Sequence, residues 1–399
     1  MRTTCRSCGD AKSEMFLDLG PQPLAGGFLP PTTEAKELEK MHPLPIHFCH
    51  SCGLVQTFYV VPAETLFTNY CFSSSTVPYL VQHFTDYAKW LKAELKANSV
   101  LEFGCNDGIL LKPLEAIGVK AVGIDISENI TEVAREKGLK VKTGFFNPAS
   151  ADQLKDEYGA FDVVTGSNCF PHNDEPEHIL KAAKKVLKPD GHLCLEIMYA
   201  GDLLEKLQWD SMYHEHLNYF SLKTLDILLR RHGFHTVHVE RLPMHAGTLR
   251  LVAAVNPSET PRTSVAELMK YEEATGLNRF ETWKRFAHDV LRQIKVTKEV
   301  LGALSTRHRI WGYGAAGRAT MWVNACQMNY LEFMVDSSPF RSGRLMPGTH
   351  TPIVFPEALR TKPPDYIFVP AWNYIDEIRR KEAWFQGIWC IPVPFLKFL

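Results

Sequence analysis

The chain has 399 residues, with 44 Lys and Arg against 45 Asp and Glu and a formal charge of −1 at pH 7. At about 150 residues per domain the length suggests two or three domains. The even charge argues against a protein that neutralises nucleic-acid phosphates with surplus Lys and Arg. The N-terminus lacks the apolar stretch of a signal peptide, and no apolar run approaches the ~18 residues of a membrane span. A cytoplasmic chain with no membrane partner and no nucleic-acid partner is expected.

In a reducing cytosol the ten cysteines are metal ligands or buried thiols before they are disulfides. Cys5-Arg-Ser-Cys8 and Cys49-His-Ser-Cys52 are two C-x-x-C pairs, each followed by glycine (Gly9, Gly53). Such a turn aims two thiolates at one centre. Two of them make a tetrahedral S4 site suited to structural zinc, with no ligand position left for catalysis. The alternative is a redox pair, but a second copy with the same trailing glycine favours metal. The run Pro21–Pro31 is the expected loop between the two knuckles.

From residue 78 to 97 apolar residues recur at helical spacing. Ser99-Val-Leu-Glu-Phe-Gly-Cys-Asn-Asp-Gly108 follows as strand, turn and helix start, and Ala121–Asp125 as a second strand ending in an acid. Phe161–Thr165 and His192–Ile197 are further strands around a helix, His178–Leu187, and the turn Lys188-Pro-Asp-Gly191. Strands alternating with helices mean a doubly wound parallel sheet, which binds ligands at the carboxyl ends of its strands. The set E-x-G-x-x-x-G, an acid after the second strand, and L-K-P-D-G looks like a class I S-adenosylmethionine (SAM) methyltransferase. Its expected SAM contacts are Glu102, Gly104, Asn106, Asp107, Asp125 and Asn168. An NAD-binding domain would instead carry G-x-G-x-x-G in its first turn. Asn106 stands where such methyltransferases usually have a middle glycine, and Asn tolerates left-handed backbone.

Beyond this domain, Tyr213-His-Glu-His216 is a dense run of proton-transfer residues without the H-E-x-x-H spacing of a metalloprotease. Asn168–Asp174, just past a strand, and Met244–Arg250 are further polar groups. From Ser264 a long helical stretch carries Phe280, Trp283, Ala287, Val290, Leu291, Ile294, Leu301 and Leu304 on one predicted stripe. Then Gly312-Tyr-Gly-Ala-Ala-Gly317 is a true G-x-G-x-x-G, with Asp336 ending the next strand. Residues 309–399 have room for about half a dinucleotide-binding fold, so the turn is expected to hold the pyrophosphate of a nucleotide-linked substrate. The alternatives are a redox cofactor and a glycine turn needed only for packing.

Taken together, the paired cysteine knuckles, Tyr70-Cys-Phe-Ser-Ser-Ser75, Glu102–Gly108, Glu215-His216, His245-x-Gly247 and Gly312–Ala315 resemble the sugar C-methyltransferases of deoxysugar biosynthesis, including the 3-C-methyltransferase of tetronitrose formation. The resemblance covers nearly the whole chain. It implies an α/β protein in three parts: a zinc-binding lobe (1–75), a Rossmann-like SAM domain (76–255), and a helical linker with a smaller Rossmann-like domain (256–399) that helps hold the sugar nucleotide. The implied cofactors are SAM and structural zinc.

The implied substrate is a nucleoside-diphosphate 4-keto-6-deoxysugar carried on dTDP, GDP or CDP, methylated beside its ketone, at C3. A monomer is expected. In this reading His216 is the base, with Glu215, Tyr213 and His172 as catalytic partners. Tyr70, His245, Gly247, Tyr313 and Gly314 would bind substrate. The chain departs from the family's pattern at His214, where Asp is usual, and at Phe72, where the family commonly has a second Tyr. The other readings are a zinc-ribbon nucleic-acid methyltransferase and a non-catalytic nucleotide-sugar binder.

Overall fold

The structure is a computed structural model, and it describes residues 2–68 and 73–399. The first three strands are β1 (Ser13–Gln22), β2 (His42–Cys49) and β3 (Val55–Gln56). After the helix Pro78–Glu94 come β4 (Ser99–Phe103), β5 (Lys120–Asp125), β6 (Val141–Thr143), β7 (Phe161–Ser167) and β8 (Leu187–Met198). The short strand β9 (Asn218–Tyr219) precedes β10 (His235–Leu242) and β11 (Thr248–Ala254). The last third holds β12 (Ile310–Tyr313), β13 (Met334–Val335), β14 (Ile353–Val354), β15 (Tyr366–Phe368), β16 (Ile388–Ile391) and β17 (Lys397–Phe398).

These strands form three sheets. The central one has seven strands in the order β10-β11-β8-β7-β4-β5-β6. Its β4, β5, β6, β7 and β8 run parallel, while β11 is antiparallel to both neighbours. The inner strands are buried on both faces, as in Val100–Phe103 and Val163–Thr165, because helices cover the parallel sheet on each side. The order turns back at β4, between β5 and β7. A cleft opens at the carboxyl ends of these strands, the switch point where such sheets take ligands.

The C-terminal sheet repeats the plan at smaller scale, in the order β14-β13-β12-β15-β16-β17, with β12 parallel to β13 and β15. Its six short strands follow the full doubly wound order, with the first strand central and only the last antiparallel, so the segment holds more than the half fold its length suggests. Two helices lead to it, Thr263–Thr275 and Phe280–Ser305. The second buries Trp283, Phe286, Ala287, Val290, Gln293, Thr297 and Leu301. Leu291, placed on the predicted stripe, is instead 54% exposed. The stripe drifts around a helix of this length, and Gln293 takes an inward place because its amide bonds Trp209 Nε1 and the carbonyls of Pro392 and Pro394. The predicted Lys188–Gly191 turn is part of extended β8, absorbed by a register shift against β7.

The N-terminal sheet, β1-β2-β3-β9, is antiparallel, and its fourth strand comes from the middle of the chain. β9 follows directly on Tyr213–His216, so the lobe and that segment share one sheet. The chain between β1 and β2 is not a free loop between knuckles. It crosses to the C-terminal domain, where Leu29 pairs with Leu345 and Thr320 Oγ1 donates to the Ala25 carbonyl. Among the described residues no helix is long and apolar enough to cross a membrane.

Candidate active site

The four knuckle thiols converge, their sulfurs all lying within 4.8 Å of one another. Cys5 and Cys52 are 3.6 Å apart, as are Cys8 and Cys49, and none is in a disulfide. A zinc tetrahedron with ~2.3 Å Zn–S bonds has sulfur–sulfur edges of about 3.8 Å, so the spacing and the donor set fit Zn2+. Gly9 and Gly53 both adopt positive φ (81° and 93°) behind the knuckles, and a Cβ on Gly53 would lie 2.8 Å from Asn278 Cβ. Ser7 Oγ donates to the Thr224 carbonyl at 2.6 Å, seating the knuckle on the helix Leu222–Arg231. All four ligand positions are filled by sulfur, which makes the metal structural.

The cleft at the carboxyl edge of the central sheet encloses about 1090 Å³, its open mouth included. Gly104, Asn106, Asp125 and Asn168 line it, with Phe103, Ile124, Phe146 and Ile179 as apolar walls. Gly104 has φ +66° and Asn106 φ +49°, so the Asn does adopt the left-handed backbone. Asp125 accepts the backbone N–H of Asn106 on one oxygen and that of Ser127 on the other, both at 2.9 Å. Each oxygen keeps a lone pair for a ligand hydroxyl. This set fits SAM: a backbone turn for the amino-acid end, a carboxylate for the ribose, and apolar walls for the adenine.

Two expected SAM contacts lie elsewhere. Asp107 is 1% exposed and does not face the cleft. Its carboxylate takes Ser73 Oγ at 2.7 Å, Ser75 N at 3.3 Å and the Lys137 ammonium at 3.3 Å, so it ties neighbouring chain to the turn. Glu102 is buried beneath the turn, and burial beside Asp125, Glu196 and Asp107 holds its carboxyl well above the usual range.

Beside this cleft three rings meet. His172, in the short turn Phe170–His172 after β7, lies 5.0 Å from His216 between ring centroids at an interplanar angle of 25°. Tyr213 lies 4.0 Å from His216 on centroids, and His172 in turn stacks on Phe67 at 5.6 Å. His216 Nδ1 sits 2.6 Å from the Ser211 carbonyl. A carbonyl only accepts, so Nδ1 carries the proton and Nε2 is the basic nitrogen. Burial, with His172 and Arg318 nearby, keeps His216 well below the usual imidazole range, and burial lowers His172 to about 4. Both rings are therefore neutral at pH 7, which suits acceptors of a proton.

Other members of the Tyr-His-Glu-His run face away. His214 is 1% exposed and turns to the lobe, with Nε2 at 3.3 Å from the Pro43 carbonyl and its ring against His42 and Tyr59. Glu215 points to the crossing loop, where it accepts the Gly26 N–H. Burial raises it to about 7, partly offset by that N–H and by Arg341. Residues 213–216 form a tight turn, closed by the His216 N–H donating to the Tyr213 carbonyl at 2.9 Å, and the turn sends the four side chains in different directions.

The expected substrate contacts divide. His245 lines the cleft with strained backbone, φ +49°. Gly247 serves packing, because a Cβ there would lie 2.3 Å from Asp202 Cβ. Gly314 (φ +95°) likewise admits Ala371, whose Cβ would be 2.5 Å from an added one. Tyr313 is buried within the C-terminal domain, its hydroxyl donating to Glu382 at 3.1 Å, so it faces away from the turn. Tyr70 lies outside the described residues.

Several functional candidates carried no sequence signal of their own. Gly26 and its loop reach Glu215. Glu196, fully buried, gathers Arg250 (2.7 Å), His83 (3.1 Å) and Ser167 Oγ (2.9 Å) beside the cleft. Arg318, the residue after the last glycine of the turn, reaches the central domain. Only the distances in the folded chain mark them.

Comparison with known proteins divides the chain in the same order. Residues 5–67 match a family described as a putative zinc binding domain, 76–239 a methyltransferase domain, and 243–394 a C-methyltransferase C-terminal domain. The chain is 29% identical over 400 residues to C-methyltransferase NovU of Streptomyces niveus, covering 98% of this chain and 95% of that protein. A ubiquinone biosynthesis O-methyltransferase of Pseudomonas paraeruginosa is 33% identical over 109 residues, 26% of this chain and 46% of that one. Among solved structures, magnesium protoporphyrin IX methyltransferase of Synechocystis with bound S-adenosylhomocysteine aligns over 44% of this chain and 82% of its own, at 20% identity and TM-score 0.35.

Proposed function

We propose that this chain, a SAM-dependent methyltransferase built from a zinc lobe, a methyltransferase domain and a C-methyltransferase C-terminal domain, methylates carbon. Its substrate in this reading is a nucleoside-diphosphate 4-keto-6-deoxysugar, methylated at C3 beside the ketone. The relative named as a C-methyltransferase over nearly the full length supports carbon as the acceptor. The observation that carries the reading is the neutral His216, its Nδ1–H held by the Ser211 carbonyl and its ring between His172 and Tyr213.

Carbon next to a ketone is weakly acidic, and removal of its proton makes an enolate, which is a carbon nucleophile. His216 takes that proton at Nε2. A histidine held neutral by burial is ready to accept at any pH above its lowered pKa. The Tyr213 hydroxyl and His172 lie beside it as groups to hold the developing oxyanion. SAM, bound in the cleft of Gly104, Asn106 and Asp125, supplies an electrophilic methyl group. No proton need return to the methylated carbon. The sugar's pyrophosphate is assigned to the start of the helix Gly317–Ala325, whose first backbone N–H groups have no acceptor within the helix.

The test is incubation of the zinc-loaded protein with SAM and a panel of dTDP-, GDP- and CDP-linked 4-keto-6-deoxysugars, read by mass spectrometry. Gain of one methylene on a panel member is expected, and deuterium exchange at C3 without SAM. Methylation at oxygen, or no member accepted, would overturn the reading.

A further inference from the structure

Among the contacts of the C-terminal domain with the central site, one guanidinium reaches furthest. Arg318 is the second residue of the helix Gly317–Ala325. Its Nη1 lies 3.3 Å from Asp210 Oδ1, and its Nη2 donates to Gln208 Oε1 and to the His245 carbonyl, both at 3.1 Å. The guanidinium also sits 5.3 Å from the centre of the Trp372 ring. Asp210 is fully buried, and its other oxygen accepts the indole N–H groups of Trp322 at 3.1 Å and Trp372 at 3.0 Å. A buried carboxylate with this many partners is a fixed point.

Two pieces of the site hang on that point. Asp210 lies in the turn Trp209–Ser211, and the next carbonyl in that turn, Ser211, accepts the Nδ1–H of His216. His245, at positive φ, is a conformation that side chains resist, and its carbonyl is held by the same Nη2. Strained backbone of this kind persists where the surroundings over-determine it. One side chain thus braces both the tautomer of His216 and the placement of His245.

We propose that Arg318 is a positioning residue: through Asp210 and Ser211 it fixes His216 as the Nδ1–H tautomer, and so ties the glycine turn of the C-terminal domain to the proton-accepting nitrogen. The inference rests on His216 acting as the base. Its charge adds to the effect. The groups facing His216 are His172, Tyr213, His245, Arg318 and the Ser211 carbonyl, and of these Arg318 is the permanent cation. Burial and His172 oppose protonation of His216 most, and the Arg318 cation, partly offset by Asp210, adds to them.

The test uses the full zinc-loaded chain labelled with 15N-histidine, with S-adenosylhomocysteine added, and His216→Asn to assign the resonances. Wild type should show a single Nδ1–H tautomer at His216. Arg318→Gln should show mixed tautomers and a higher titration midpoint, because the nearby cation is gone. Arg318→Lys, which keeps the charge but cannot span three acceptors, should return the midpoint toward wild type while the tautomers stay mixed. A wild-type tautomer and midpoint in Arg318→Gln would overturn the proposal. Should that variant not fold, a pure Nδ1–H tautomer in Arg318→Lys would do so. The base reading fails separately, if His216→Asn still methylates the sugar panel at the wild-type rate.

Discussion

Arg6 Nε and Nη2 both donate to one oxygen of Asp174, at 3.0 and 2.8 Å, and this pair joins the first cysteine knuckle to the loop that carries Asn168 and His172. The Arg6 side chain is fully buried, and its Nη1 also donates to the Thr57 carbonyl at 2.7 Å. Asn218 completes the join, donating to the Pro171 and Asn173 carbonyls from the strand that pairs with β3. The metal lobe therefore sets the position of the loop that lines the cleft.

Removing the metal should loosen that loop. Treatment with a strong chelator should release one zinc per chain and lower SAM affinity together with thermal stability. Arg6→Gln should destabilise by about 1–3 kcal/mol through the uncompensated buried partners it leaves. Retention of zinc with no change in SAM binding on Arg6→Gln would show that the pair does not transmit. Colorimetric zinc release and calorimetric titration with SAM are the measurements.

His216→Asn should abolish turnover, by at least ~10²-fold as for loss of a general base, and leave SAM binding nearly intact. Asn keeps a polar group near the Ser211 carbonyl but has no basic nitrogen. Near-normal turnover in a radiolabelled-methyl assay would sink the assignment.

His214 offers the contrast. Its ring packs on His42 and Tyr59 at 5.6 and 6.0 Å, away from the cleft. His214→Gln should keep kcat within a few fold and lower the melting temperature modestly, by about 2–4 °C per kcal/mol for a domain of this size. Loss of turnover in a fully folded variant would return His214 to the list of bases.

Glu215 gives a pH signature of stability. Its carboxyl is raised to about 7 in the folded chain, against 4.5 as the ordinary value. The folded state then binds the extra proton between these values, so stability falls as pH rises from about 4.5 through 7. Glu215→Gln removes the titration and should flatten that slope, gaining on the order of 1–2 kcal/mol relative to wild type at pH 8 once partial exposure is discounted. Denaturant melts at pH 5.5 and pH 8 decide it. An unchanged slope would mean that Glu215 is ionised throughout.

Legibility in the sequence followed the range of the interaction. The knuckles could be read because four thiols in two short turns need only local geometry to converge. The SAM cleft could be read because strand, turn and acid recur at fixed offsets, and Asn106 at positive φ is a local choice. The meeting of His172 with His216 is set by β9 and the turn after β7, which no spacing reveals. Glycines misled most. Gly247 and Gly314 look like ligand cradles on paper, yet Asp202 and Ala371 fill the space. Tyr313 fails for the same reason, since a strand residue next to a glycine turn can face either way, and this one faces Glu382. Asp210 and Arg318 are 108 positions apart, and only the packing of the two indoles around the carboxylate brings them together.

The fourth strand of the N-terminal sheet, β9, makes covalent order and spatial order disagree. A fragment ending before residue 69 would present β3 as a bare edge, with its backbone groups open to any passing strand. A fragment starting after it would leave Asn218 and Tyr219 without the partner that holds them extended. The lobe cannot be exchanged as a cassette between relatives unless the recipient's own β9 is replaced with it.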